Sequence, residues 1–89
     1  MNTDHERKTA SERVEIFRSR YHHLGEECLP LQIAIRWQRA VSTDPVDLNT
    51  LKDIFDTAKA SKNKFDVGFF TFCNHMETVI QSGWRDSFK

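Results

Sequence analysis

Apolar residues recur along this chain at helical rather than strand spacing. Val14, Phe17, Tyr21 and Leu24 follow one another at intervals of 3, 4 and 3, which at about 100° per residue sets them in one stripe. Thr9 with Glu12 three residues on reads as a capping box ahead of that stripe, and Gly25 reads as a left-handed residue just beyond it. The first helix is predicted over about residues 10–24. Residues 1–8 are polar, charged and without period, so they are expected to form a flexible leader.

Pro30 lacks an N–H and suits a first helical turn, and Glu26 and Glu27 suit the positive end of a helix dipole. From there Ile33, Ala34, Trp37, Ala40 and Val41 share a face, while Leu31 and Ile35 make a second apolar strip, as in a helix with two neighbours. The second helix is predicted over about 30–41. Asp44-Pro45-Val46-Asp47 offers a cap, a proline at the first helical position and a carboxylate at the third, so a third helix is expected over about 45–61. Its core face is Leu48, Leu51, Ile54, Phe55 and Ala58.

Asn63 and Asp66 repeat the pattern of a cap followed by a carboxylate. The local alternation Phe65-Asp66-Val67-Gly68-Phe69 suggests a strand. Over a longer window Phe65, Phe69, Phe72, Cys73, Met76, Val79 and Ile80 fall within about 120° of a helical wheel. A fourth helix is therefore predicted over about 64–82, with Gly83 closing it and Trp84 folding back on Val79. Short links between amphipathic helices favour antiparallel neighbours. The predicted architecture is all-α, an up-down antiparallel bundle of four helices, in a single domain over residues 9–89.

Composition narrows the functions to consider. The 89 residues carry 13 Lys and Arg against 13 Asp and Glu, a formal net charge of zero, so no polyanion or anionic membrane is favoured by the chain as a whole. Two cysteines, Cys28 and Cys73, are too few for a disulfide framework, and the first residues have no apolar signal region. A reducing, cytoplasmic setting is expected, with no membrane span.

No nucleophile elbow, P-loop, dinucleotide fingerprint, zinc-protease motif or EF-hand loop is present. Catalysis is therefore not expected, and neither is a cofactor. A metal would have to draw on His22, His23, Cys28, Cys73 and His75, but Cys73 and His75 point about 200° apart on a helix and cannot share an ion. The simpler expectation makes Cys73 a core residue, turns His75 to solvent and leaves His22 and His23 near a helix C-terminus.

Two binding readings remain. Residues 30–61 could form a helix-turn-helix that binds nucleic acid as a transcriptional regulator, although Asp44, Asp47, Asp53 and Asp56 against Lys52 would repel phosphates at the reading helix. Better basic surfaces would be Arg13 and Arg20, Arg36 and Arg39, or Lys59, Lys62 and Lys64. The leading reading is a non-catalytic regulator, adaptor or inhibitor that binds a protein partner or itself, a homodimer included. Apolar residues outside the stripes support it. The contact surface is expected at Phe70, Leu31, Ile35, Trp84 and Phe88, with Arg36 and Arg39 at the rim; Ile16, on the polar side of the first helix, is a weaker candidate.

Overall fold

The computed structural model of the chain describes residues 2–25, 27–43 and 45–82. Four α-helices, α1 (Asn2–Arg20), α2 (Leu29–Ser42), α3 (Leu48–Lys59) and α4 (Val67–Ser82), account for most of them, with a 3-10 turn at His22–Leu24 after α1. The described residues contain no strand. Side-chain pairings give the directions: Arg7 on α1 reaches the Val41 carbonyl late in α2, and Ser11 meets Gln38. Glu6 lies against His75, and Phe17 against Phe72 and Phe69. Neighbours thus run antiparallel, and the bundle is up-down.

An aromatic cluster fills the centre. Phe17 makes edge-on contacts with Tyr21 and Phe72 at centroid separations of 5.2 and 5.5 Å, and Trp37 meets Phe72 at 6.2 Å. Trp37, Phe17 and Phe69 are fully buried. Each such ring contributes up to about 3 kcal/mol by leaving water, and the edge-on geometry adds a further fraction. Arg13 flanks this cluster, its guanidinium 5.8 Å from the Phe17 centroid and 5.3 Å from that of Phe72. Burial lowers its pKa, against the opposing pull of the Glu6 carboxylate.

The expected leader is instead the start of α1. Helix begins at Asn2, so Thr9 and Glu12 lie in mid-helix rather than at a cap. The reason is Glu6, which is 2% exposed and continues the inward stripe of Ala10, Val14, Phe17 and Tyr21 by one turn. A charged residue at a core position breaks the hydrophobic pattern without breaking the helix. At the other end α1 stops at Arg20, and Leu24, placed on the core stripe by spacing, is 49% exposed because the tighter 3-10 turn rotates it outward. Gly25 has positive φ as expected, but with φ 87° and ψ 169° it is extended rather than left-handed helical; its N–H donates to the His22 carbonyl.

The starts of α3 and α4 fall later than predicted, for one reason. In each case the carboxylate assigned to the third helical position is itself the cap. Asp47 accepts the Asn49 N–H at 2.9 Å and the Thr50 hydroxyl at 3.2 Å. Asp66 accepts the Phe69 N–H at 3.2 Å. Pro45 and Phe65 therefore lie outside the helices, and Asn63 caps nothing. The predicted cap Asp44 and the closing pair Gly83 and Trp84 lie outside the described residues.

Candidate interaction surface

The corner between α3 and α4 is built around Asp66. Besides capping α4, its carboxylate accepts hydrogen bonds from the Arg20 guanidinium and the Tyr21 hydroxyl, both at the end of α1. Partial burial would raise the Asp66 pKa, but the bonds from Tyr21, Arg20 and the Phe69 amide outweigh it and hold the carboxyl below its ordinary value. Tyr21 moves the other way: burial, then its bond to Asp66, push the phenol above its ordinary range. Arg20 is raised, first through its hydrogen bond to Asp66. Gly68 lets these groups close up, since a Cβ there would sit 3.3 Å from Asp66 Oδ1 and 3.6 Å from the Arg20 guanidinium.

This anchoring fixes what the corner presents. Val67 is 70% exposed and Phe70 38% exposed, and both line a shallow groove with Lys62, Asn63, Phe65 and Asp66. Phe65 packs inward on Phe69 and Tyr21. The Lys62 ammonium stands 4.4 Å from the Phe70 centroid and also bonds the Asn74 side chain. Phe70 was expected at a surface; Val67 was not singled out, although its wheel position opposite the stripe carried the signal.

The other expected contact residues do not gather around Phe70. Leu31 is 2% exposed and belongs to the core between α1 and α2, so it is not available at a surface. Ile35 is half-buried against the same core. Arg36 and Arg39 are exposed and line a separate groove between α2 and α3. Trp84 and Phe88 lie outside the described residues. Ile16 is 51% exposed on α1, in keeping with its place on the polar side.

The basic clusters weighed for nucleic acid are partly engaged within the bundle. Arg13 lies along aromatic rings and Arg20 is paired with Asp66. Lys59 is 3.6 Å from Asp56 and 5.4 Å from the Phe55 centroid.

A buried polar cluster was not anticipated. Oε1 of Glu6 accepts from Trp37 Nε1 at 3.2 Å and lies 2.7 Å from His75 Nε2. Which of Glu6 and His75 donates in that contact follows the imidazole tautomer. The His75 side chain is 32% exposed and turned to Glu6, which corrects its expected solvent-facing position. These hydrogen bonds on Glu6 tie α1, α2 and α4 together.

Among the described residues no group of three His, Cys, Asp or Glu side chains is placed to hold a metal. Cys73 is buried, and that burial raises the thiol pKa against the nearby Lys62 charge. A thiol held protonated is a poor nucleophile. No described helix is long and apolar enough to cross a membrane.

The fold and surface define the chain as an all-α antiparallel bundle with an apolar, lysine-edged corner. Comparison with protein families, curated proteins and solved structures finds no match.

Proposed function

We propose that this bundle acts without catalysis, as a regulator, adaptor or inhibitor that binds a protein partner through the corner around Val67 and Phe70. One observation carries the reading. Two large apolar side chains lie one turn apart, exposed to 70% and 38%, on a helix whose capping carboxylate, Asp66, is bonded by two groups at the end of α1, Arg20 and Tyr21. A rigid element presenting an apolar pair beside a cation suits protein contact, because little ordering entropy remains to be lost on binding. The free thiols Cys28 and Cys73 suit a reducing compartment such as the cytoplasm.

The test is capture from host lysate with wild-type protein and with Val67→Asp and Phe70→Asp, each with and without nuclease. The reading expects a partner held by wild type, lost by both variants and indifferent to nuclease, with helical circular dichroism unchanged. Capture that nuclease abolishes would favour the nucleic-acid alternative instead. Retention of the partner by both variants would move the interface away from this corner.

A further inference from the structure

Two of the residues that line the groove at the start of α4, Lys62 and Asp66, are charged, and they differ in how they are answered. Asp66 is committed to the bundle. Its Oδ2 accepts from the Arg20 guanidinium, and its Oδ1 from the Tyr21 hydroxyl and the Phe69 amide. Lys62 forms no ion pair among the described residues. Its neutral partner Asn74 takes one of the three N–H donors that an ammonium carries. The same ammonium stands 4.4 Å from the Phe70 centroid, so an acceptor that reaches it lies beside the ring that an incoming apolar side chain would cover. The groove is shallow and holds about 260 Å³, less than the roughly 300–1,000 Å³ of sites that bury small molecules. It suits side chains of a segment laid across it.

We propose that this groove takes an acidic peptide segment of another protein, in which an apolar residue packs on Val67 and Phe70 and a neighbouring Asp or Glu carboxylate accepts from Lys62. The inference rests on the reading of this corner as an interface and adds the chemistry of the partner. A basic segment would set its charge against Lys62 and find Asp66 already held by Arg20. An acidic one gains a charge-assisted hydrogen bond, strengthened as the apolar contact beside it excludes water.

The experiment is selection of short random peptides, displayed on phage, against the immobilised full chain. The selected peptides are then titrated by fluorescence anisotropy with wild type, Lys62→Glu, Lys62→Arg, Lys64→Glu and Val67→Ser. They are expected to carry an apolar residue flanked by Asp or Glu. Lys62→Glu should weaken them at least about tenfold, since repulsion replaces attraction, and Lys62→Arg, which keeps the charge, should retain binding. Lys64 is exposed but does not line the groove, so Lys64→Glu should cost less than Lys62→Glu. A peptide remade with Lys in place of its acidic residues should prefer Lys62→Glu to wild type. Peptides that are lost with Val67→Ser but carry no acidic residue, or that ignore Lys62→Glu, would overturn the proposal and leave the corner standing as an interface. Equal losses in Lys62→Glu and Lys64→Glu would reduce the effect to overall charge and overturn it too. Acidic peptides indifferent to Val67→Ser, or no enrichment at all, would overturn both readings. Co-sedimentation with phosphatidylserine vesicles in the absence of peptide binding would assign the corner to a lipid surface instead. Should Lys62→Glu cost helicity, Lys62→Gln must show the weakening on folded protein.

Discussion

The Tyr21 hydroxyl donates to the carboxylate of Asp66, 45 residues further along the chain, and so joins the residue that follows α1 to the residue that caps α4. The same carboxylate caps α4, which makes one side chain responsible for a helix start and for a tertiary tie. Asp66→Ala should cost about 2 kcal/mol, roughly half from the lost cap and half from the stranded phenol. The Arg20 contact is half open to solvent and adds little to that figure. Tyr21→Phe should cost about 1 kcal/mol. Urea unfolding of both variants and of the pair together measures these costs, and the double variant should fall short of their sum because the residues share a bond.

The two groups also set opposite pH limits. Asp66 is held below its ordinary 3.8 in the folded chain, so its contribution is complete above that value and is lost as pH falls through the lower folded pKa. Tyr21 is raised from its ordinary 10.0, so its contribution is complete below pH 10 and is lost as pH rises toward the folded pKa. Stability measured against pH should therefore fall at both ends. Asp66→Asn should flatten the acid limb, and Tyr21→Phe the alkaline limb; an acid limb unchanged by Asp66→Asn would remove this carboxyl from the account.

Glu6→Ala should destabilise by about 2 kcal/mol, since it leaves the buried Trp37 indole N–H without an acceptor. Glu6→Gln keeps an acceptor oxygen and should cost less. Thermal melts followed by tryptophan fluorescence compare the two, and equal losses would mean that packing rather than hydrogen bonding matters at this position.

Cys28 is half-exposed and Cys73 buried. A thiol reagent added to native protein should modify Cys28 first, with Cys73 reacting when the bundle opens. Mass spectrometry of partly labelled protein reports the order. Labelling of Cys73 at the same rate as Cys28 would show that α4 opens readily.

Much of the bundle was legible in the sequence because its core is built from long apolar side chains at regular spacing. Val14, Phe17 and Tyr21, then Ile33 and Trp37, then Leu51 and Ile54, then Phe69, Phe72 and Met76 all point inward as their period requires. What escaped depends on pairings across the bundle. Glu6 reads as a solvated charge until Trp37 and His75 are seen beside it. Asp47 and Asp66 read as third-position carboxylates, because spacing does not decide which of two polar residues will accept the helix N–H groups. The surface was only partly legible: Phe70 follows from its angle on the wheel, but a second apolar strip such as Leu31 and Ile35 looks the same whether a neighbouring helix or solvent covers it.

Helix α4 opens with Val67 and Gly68, a β-branched residue and the poorest helix former after proline. Its first turn therefore owes little to its own propensity and much to the groups of α1 that grip Asp66. Glycine at position 68 also spares the Asp66 carboxylate a crowded neighbour, since a Cβ there would lie 3.3 Å from Oδ1. The shape of the exposed corner is accordingly governed from outside α4: a change confined to Tyr21, which does not line the groove, would loosen the backbone that carries Phe70 and reset its presentation from behind.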